Sequence, residues 1–289
     1  MGNKVFHHYD VAYKKEGMDD YEIISPPKYG WVADPFLVEW KGEMYLFAEI
    51  FLYLSERNGV IGYCKYDDKN QTWTEWEVSM DKHWHLSYPN VWVENDRLYM
   101  CPESYQLEEV AVYELVELPN HWKKVNCYID NVEYCDSTFI EHDGKKYMFT
   151  FERQVPSPKG IGLIFDIDSN GKAVNKRVLT DSLRGARCGG KFIHKDNKIF
   201  RVAQNCEKEY GGGLLFFQVD QIVPVYSEHE VKSVDVADLK QEWQNKYTGI
   251  HTYNRCKDFE VIDLRWPSST KEENEASDRI HKVFVEKYI

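Results

Sequence analysis

The chain has 289 residues, enough for one large all-β domain or for two domains of ordinary size. Its net charge is −12 and it contains no long lysine- or arginine-rich run, which argues against a nucleic-acid or anionic-membrane partner because phosphate binding needs clustered positive charge. No stretch approaches the roughly 20 apolar residues of a membrane-spanning helix, and an aromatic share of 15% favours strands and suits the binding of sugar rings.

Residues 30–49 predict a β-hairpin, with a first strand, a tight turn at Lys41-Gly42 and a second strand. Asp34 lies near the start of the first strand, and Glu49 lies at the end of the second. Because the strands of a hairpin are antiparallel, these two carboxylates should meet at the same edge.

The same layout recurs four more times, at intervals of roughly 50 residues, as expected for a propeller. The later hairpins span 86–101, 135–149, 186–202 and 250–263, with turns at 95–96, 143–144, 196–197 and 257–258. Third strands are predicted at 60–66, 110–115, 161–165 and 213–219, and outer strands at 74–78 and 122–125. We therefore predict an all-β fold, a five-bladed β-propeller; a β-sandwich or an irregular β protein is the alternative.

The two ends of the chain complete this prediction. A strand around 21–24 could complete the last blade and close the ring, so the propeller would span residues 1–267. Residues 268–289 differ in pattern and predict a short C-terminal helix, which would pack on the outside of the ring or form a homo-oligomer with a second copy.

In a propeller the first strand of every blade lines the central channel in the same direction, so the leading residues converge at one mouth. The predicted set is Asp34 and Glu49, Tyr88 and Glu103, Asp136 and Glu152, Arg187 and Gln204, and His251 and Asp263. Such a polar group is expensive to bury unless it binds or catalyses something. Two structural alternatives stay open: an aspartate before a strand can simply cap a turn, and Arg187 and His251 can serve in structural ion pairs.

Ala33-Asp34-Pro35-Phe36, followed by a Tyr-Leu-Phe strand, resembles the first-blade motif of five-bladed glycosidases of the arabinanase, xylosidase, invertase and levansucrase type. A closer resemblance, over roughly residues 30–265, is to the N-terminal domain of plant glucosamine inositolphosphorylceramide transferases and its stand-alone bacterial relatives. The motifs that carry it include His85-Leu86-Ser87-Tyr88-Pro89, Tyr99-Met100-Cys101-Pro102-Glu103-Ser104, Asp136-Ser137-Thr138, Gln204-Asn205-Cys206, Tyr210-Gly211 and Gly249-Ile250-His251-Thr252. The transferase domain of the plant proteins has no counterpart here, so the resemblance does not carry their sugar transfer over.

The glycosidase resemblance implies catalytic roles. Asp34 would be the general base or nucleophile, and Asp136 would orient the substrate and tune its neighbours. The general acid of those enzymes lies in a later blade, where this chain has Arg187, so Glu103 is the nearest substitute and Glu49 or Glu152 could compete with it.

The remaining predicted site residues would bind substrate. Arg187 and His251 would hold an anionic group, Trp31, Tyr88 and Tyr210 would stack on sugar faces, and His85 and Gln204 would contribute polar contacts. No metal-ligand motif is present, so no cofactor is predicted, although carboxylates in the channel could hold a calcium ion.

These observations predict a carbohydrate-active enzyme that cleaves or transfers a glycosidic bond. The alternatives are a glycosyltransferase that uses a nucleotide sugar in cytoplasmic glycan biosynthesis, and a non-catalytic glycan-binding propeller. Seven scattered cysteines without a Cys-x-x-Cys pair, and an N-terminus without the apolar core of a signal peptide, predict a cytoplasmic protein.

Overall fold

A computed structural model describes residues 5–53, 59–269, 271–272 and 275 of the chain, and these residues form a five-bladed β-propeller. Two strands precede the first complete blade: β1 (Val5–Lys15) and β2 (Glu22–Ile24). Blade 1 contains β3 (Gly30–Trp40), β4 (Glu43–Leu52), β5 (Gly59–Asp67), β6 (Thr72–Trp73) and β7 (Glu77–Met80). Blade 2 contains β8 (Ser87–Glu94), β9 (Arg97–Glu103), β10 (Glu109–Glu117) and β11 (His121–Asp130).

The later blades follow the same order from the channel outward. Blade 3 contains β12 (Tyr134–His142), β13 (Lys145–Arg153), β14 (Gly160–Ile167) and β15 (Ala173–Thr180). Blade 4 contains β16 (Arg184–Cys188), β17 (Ile193–Lys195), β18 (Lys198–Asn205), β19 (Gly213–Gln221) and β20 (Ser227–Val234). A short α-helix (Gln241–Gln244) and two 3₁₀ turns (Tyr105–Leu107 and Val236–Asp238) lie between strands.

Both ends of the chain build blade 5, whose strand order is β2, β1, β22 (Phe259–Ser269) and β21 (Tyr253–Cys256), with β21 innermost. β1 pairs with β22 along its whole length, from Val5 opposite Ser269 to Lys15 opposite Phe259. The predicted strand near 21–24 is β2, and β1 was not predicted. The C-terminal helix predicted for 268–289 lies mostly outside the described residues; β22 runs to Ser269, and residues 271, 272 and 275 are helical.

The predicted hairpin turns are present. Lys41-Gly42, Asn95-Asp96, Asp143-Gly144 and Asp196-Asn197 all have positive φ angles at both positions, as the tight turn of a twisted hairpin requires. Glycine, asparagine and aspartate tolerate this conformation better than other residues, which is why the turns could be recognised from the sequence.

A β-bulge recurs at the same point of the first strand in blades 1 to 3. In blade 1, Ala33 pairs with Glu49 and Phe36 with Phe47, so two residues of β3 lie opposite one residue of β4. The same shift in pairing register lies between Ser87 and Asn90 in β8 and between Cys135 and Thr138 in β12. The first bulged residues are Asp34, Tyr88 and Asp136, with φ angles of 51°, 43° and 53°. The three leading positions predicted from the repeat are therefore structurally equivalent.

The innermost segments of the blades are joined in a ring of hydrogen bonds, which we call the inner belt. Its members are Tyr88 N to Asp34 Oδ2 (3.1 Å), Asn90 Nδ2 to Ser137 O (3.0 Å), Thr138 Oγ1 to Gly190 O (3.3 Å), Lys191 N to Asn254 Oδ1 (2.8 Å) and Asn254 Nδ2 to Pro35 O (2.7 Å). Each bond joins neighbouring blades, so the belt closes the ring around the channel axis.

Candidate active site

Asp34 lies at one mouth of the channel, where the described carboxylates Asp34, Glu49, Glu103, Asp136 and Asp263 are all buried. We call this group the acidic mouth. The Asp34 Oδ1 atom accepts a hydrogen bond from the Thr252 hydroxyl at 2.7 Å, and Oδ2 accepts one from the Tyr88 backbone N–H at 3.1 Å. These donors come from blades 5 and 2, on either side of blade 1. The position of the Asp34 carboxylate is therefore fixed by the closed ring.

Asp263 holds blade 5 against this carboxylate. Its Oδ1 accepts the backbone N–H groups of His251 (2.9 Å) and Thr252 (3.0 Å). Its Oδ2 accepts the Asp34 N–H (3.0 Å) and lies 2.6 Å from His251 Nδ1. The other ring nitrogen of His251, Nε2, lies 3.7 Å from Asp34 Oδ1. His251 therefore lies between two carboxylates.

Blades 2, 3 and 4 supply a second cluster. Arg187 donates from Nε to Asp136 Oδ2, and Gln204 donates to the same oxygen at 3.2 Å. The Arg187 Nη2 atom also lies 3.7 Å from Glu103 Oε2. Glu103, Asp136 and Gln204 are buried, and the arginine side chain keeps 13% of its surface exposed.

Glu49 and His85 form a third group. The His85 Nδ1 atom accepts the Gly59 backbone N–H at 3.1 Å, so in a neutral ring the proton is on Nε2, which faces Glu49 Oε1 at 3.6 Å. A Cβ on Gly59 would lie 2.6 Å from that glutamate oxygen and 2.8 Å from the imidazole. Only glycine therefore allows the two side chains to approach at this point.

Burial and mutual repulsion raise the pKa values of three of these acids. Burial raises the pKa of Asp34 to about 6, although the nearby His251 opposes the shift. Burial, with Asp34 as the next contributor, raises the pKa of Glu49 well above its ordinary value. Burial and the Asp136 carboxylate raise the pKa of Glu103 in the same way, and outweigh Arg187. Burial lowers the pKa of His85 to about 4, so its ring is neutral near pH 7.

The His251–Asp263 pair behaves in the opposite way. Burial would lower the pKa of His251, but the Asp263 and Asp34 carboxylates outweigh it and raise the pKa. Burial would raise the pKa of Asp263, but His251 and three backbone donors lower it. The two residues therefore form a buried ion pair beside Asp34.

The predicted aromatic residues have different positions. Tyr88 is fully buried, and its hydroxyl shares a 2.8 Å hydrogen bond with Thr138, so its ring fills the channel below the mouth. Trp31 stacks face to face on Phe51 at 4.6 Å. Tyr210 lies at the mouth, with the Arg187 guanidinium 4.8 Å from its ring centre and the His251 ring 5.5 Å away.

Glu152 is not part of the acidic mouth. Its carboxylate pairs with Lys176 of β15 at 3.0 Å, and its side chain keeps 38% of its surface exposed. The residues equivalent to Glu49 and Glu103 are those that pair just before the bulge, and in blade 3 this residue is Phe151, opposite Cys135. Glu152 is one residue further along β13, and a shift of one residue in a strand moves a side chain to the other face.

Two residues of the site were not predicted. Thr252 follows His251 in the motif Gly249-Ile250-His251-Thr252, and its hydroxyl makes the shortest hydrogen bond to Asp34. Tyr9 stacks on His251, with ring centres 4.5 Å apart. Tyr9 comes from β1, so no repeat pattern could have pointed to it.

Asp34, His251 and Asp263 are close enough together to suggest a metal site. However, Asp263 accepts four hydrogen bonds, which occupy both of its oxygens, and each oxygen of Asp34 accepts one. A cation would have to displace backbone donors that hold the blades together. The arrangement therefore fits a hydrogen-bonded network better than a calcium site, for which free oxygen ligands are needed.

The carboxylates lie below a rim that reaches solvent. Arg187 and His85 keep 13% and 16% of their side-chain surface exposed, whereas Asp34, Glu49 and Glu103 are buried beneath them. Arg187 and His85 therefore connect the buried acids with solvent.

Comparisons with known proteins agree with the fold. The family model described as glucosamine inositolphosphorylceramide transferase 1, N-terminal, matches residues 24–266. The chain is 28% identical over 244 residues to glucosamine inositolphosphorylceramide transferase 1 of Arabidopsis thaliana. The aligned part covers 81% of this chain and 31% of that protein. It is 27% identical over 213 residues to the protein of the same name from Oryza sativa subsp. indica, covering 71% and 28%. The chain thus spans about a third of the length of these relatives.

Solved structures share the architecture. A thermostable family-43 glycoside hydrolase superposes with a TM-score of 0.59 at 11% identity, covering 82% of this chain and 89% of that one. An α-L-arabinofuranosidase from Podospora anserina, in complex with cellotriose, gives a TM-score of 0.55 at 8% identity, covering 83% and 94%. At such identities the likeness shows a common propeller fold.

No helix among the described residues is long and apolar enough to cross a membrane.

Proposed function

Since this chain belongs to the family of the glucosamine inositolphosphorylceramide transferase 1 N-terminal domain, we propose that its acidic mouth binds a carbohydrate and cleaves or transfers a glycosidic bond. The observation that carries the proposal is the convergence of Asp34, Glu103 and Asp136 in one buried cluster in which the pKa values of Asp34 and Glu103 are raised. Glycoside chemistry requires such a pair of carboxyl groups, one that gives a proton and one that is ionised.

Glu103 is suited to be the proton donor. Burial and the neighbouring Asp136 carboxylate favour its protonated form, and its Oε2 atom is buried without a hydrogen-bond partner among the described residues. A carboxyl group that keeps its proton near neutral pH can donate it to a leaving-group oxygen.

Asp34 is suited to be the general base or nucleophile. Its pKa of about 6 leaves it mostly ionised at pH 7, and hydrogen bonds from Thr252 and from the Tyr88 N–H fix its direction. The pKa of an efficient general base lies close to the working pH.

Asp136 and Arg187 would orient the substrate. The guanidinium is held by Asp136 and packs over Tyr210, but it keeps part of its surface exposed. In this proposal its free N–H groups bind a substrate oxygen, and Tyr210 and the guanidinium form one wall for a sugar ring.

A glycosyltransferase reaction is the second candidate, and the names of the curated relatives favour it. In that case the donor would be a nucleotide sugar, and the same two acids would act on the acceptor hydroxyl and the leaving group. The relatives are about three times as long as this chain, so the transfer that their name describes can belong to another part of them.

The test compares Asp34→Asn and Glu103→Gln with Glu152→Gln as the matched control, because Glu152 lies outside the mouth. Purified protein is screened with aryl glycosides and with nucleotide sugars, and ligand binding is followed by calorimetry. We expect each mouth variant to lose on the order of 10²-fold or more in kcat while ligand still binds, and the control to keep wild-type turnover.

Turnover of the aryl glycosides would identify a hydrolase, and turnover of the nucleotide sugars would identify a transferase. If wild-type protein turns over neither class of substrate but binds a glycan, the propeller is a binding module and the catalytic proposal is wrong. If Glu152→Gln is as inactive as Glu103→Gln, the assignment of the acid is wrong.

A further inference from the structure

A second cavity lies on the other side of the inner belt. It has a volume of about 220 Å³ and is formed by the strand ends of blades 2 and 3 and the segment after β16. Trp92 lies four residues beyond Tyr88 and Phe139 lies three beyond Asp136, so at about 3.3 Å per residue the cavity is about 10–13 Å further along the channel than the acidic mouth. The inner belt runs between the two sites, because it includes Asp34 of the mouth and also Asn90 and Lys191, which line the cavity.

Lys191 provides a half-buried cation in this cavity. Its Nζ atom donates to the Leu37 carbonyl at 2.9 Å, and within the described parts of the chain no carboxylate lies within 4 Å of it. Burial lowers the pKa of this amine to about 8. A half-buried ammonium without a counter-charge is costly, and one carbonyl uses only one of its three N–H donors.

Aromatic rings form the walls. Trp92 and Phe139 lie 5.7 Å apart between their ring centres, and Phe192 also lines the cavity. The Lys146 ammonium lies 4.8 Å from the Trp92 ring centre at the opening, where it is paired with the Glu141 carboxylate at 4.0 Å. The Trp92 Nε1–H is buried and has no acceptor among the residues that the structure describes.

These features together specify a ligand of one chemical class. The Lys191 ammonium, which has only a carbonyl partner, and the unused Trp92 N–H favour an acceptor that carries negative charge, and Lys146 outside them is already paired with Glu141. The aromatic walls suit a ring. The charge is opposite to that of the acidic mouth and to the chain's net charge of −12. The volume is below the range of about 300–1,000 Å³ that is typical of ligand pockets, so the ligand is small.

We propose that this cavity is a second binding site, distinct from the acidic mouth, for a small ring compound that carries one carboxylate or phosphate. The anionic group would accept hydrogen bonds from Lys191 and from the Trp92 N–H, and its ring would lie against Trp92, Phe139 and Phe192. A sugar acid or a sugar phosphate has this chemistry. This site does not depend on catalysis at the mouth.

The test is calorimetric titration of the full chain with D-glucuronate, D-glucose 1-phosphate and inorganic phosphate, with D-glucose as the uncharged control. The two sugar anions distinguish carboxylate from phosphate, and inorganic phosphate shows what the ring contributes. We expect saturable binding of at least one sugar anion, and weaker binding of inorganic phosphate. D-Glucose should not compete with the bound anion.

Variants locate the site. Lys191→Met should weaken anion binding by about tenfold or more, because it removes the charge-assisted hydrogen bond, and Lys146→Gln should weaken it about two- to fivefold. Tyr210→Ala, which removes a sugar-binding wall of the acidic mouth, should bind within about twofold of wild type. If Lys191→Met does not fold, the affinity of Lys146→Gln tests the location of the site, since Lys146 lies at the edge of the cavity.

Three results would overturn the proposal. The first is the absence of saturable binding of every anion by wild-type protein at millimolar concentration. The second is unchanged affinity in both lysine variants. The third is equal loss of affinity in Tyr210→Ala, which would place the anion at the acidic mouth.

Discussion

The Nδ1 atom of His251 lies 2.6 Å from Oδ2 of Asp263, and both side chains are almost fully buried. The pair stabilises the folded state within a defined pH range. The pKa of Asp263 is lowered in the folded protein, so its contribution is present above about pH 4 and is lost as the pH falls through the folded value. The pKa of His251 is raised, so its contribution is full below about pH 6.5 and is lost as the pH rises through the folded value.

Asp263→Asn should therefore destabilise the protein by about 3 kcal/mol near pH 5.5, because it removes the nearer counter-charge of the buried histidine and leaves only Asp34, 3.7 Å away. Urea denaturation from pH 4 to pH 8 measures this. The difference between wild type and variant should be largest between about pH 4 and pH 6.5. A difference that does not vary with pH would mean that the pair is not ionised.

Thr252→Val should move the acid limb of the pH–activity profile. The Thr252 hydroxyl stabilises the ionised form of Asp34, and without it the pKa of Asp34 should rise above about 6. Since the proposed base must be ionised, kcat/KM should fall at higher pH in the variant than in wild type. The profile of kcat/KM between pH 4 and pH 8 measures this, and an unmoved acid limb would remove Asp34 from that role.

Arg187→Met should cost about 3 kcal/mol or more of folding stability, since it leaves the Asp136 carboxylate buried without its cation. Arg184 lies on the same strand, β16, and is the matched control. Its partners, Glu207 and Glu230, are at the surface, and its side chain is 34% exposed. Arg184→Met should therefore cost less than about 1 kcal/mol in the same urea titrations. Equal losses of stability in the two variants would contradict the argument that burial makes the Arg187 ion pair the more important one.

Gly190→Ala should prevent closure of the ring between blades 4 and 5. A Cβ at this position would lie 1.9 Å from the Tyr253 carbonyl oxygen, and φ is +149°. Gly17 also has a positive φ, +93°, but open space surrounds it. Gly17→Ala should therefore show only the strain of the backbone, about 1 kcal/mol, whereas Gly190→Ala should lose several kcal/mol or fail to fold. Thermal unfolding compares them.

The sequence was sufficient to predict the propeller because each hairpin carries local information. Turn residues such as Asp143-Gly144 and Asn95-Asp96 require a special backbone, and alternating strands flank them. Strand β1 was missed because its partner is β22, more than two hundred residues away, and its place in blade 5 depends on that pairing.

The position of the candidate site could be predicted from the sequence, but the directions of some of its side chains could not. The repeat identified Asp34 and Asp136 because an equivalent bulge holds them, and Glu49 and Glu103 because they pair just before it. Tyr88 occupies an equivalent position, but its side chain is long enough to reach Thr138 and so becomes part of the channel wall. Glu152 was wrongly placed by one residue, since the sequence does not show where the bulge shifts the register.

The pairing of β1 with β22 has a consequence for synthesis of the protein. β1 leaves the ribosome before the strands of blades 1 to 4, but its partner is complete only when Ser269 has emerged, so blade 5 cannot form until then. Thr252, His251 and Asp263, which hold Asp34 in place, lie in the same late part of the chain. During translation, the four earlier blades can form from local hairpins, but the acidic mouth cannot be assembled until the ring closes.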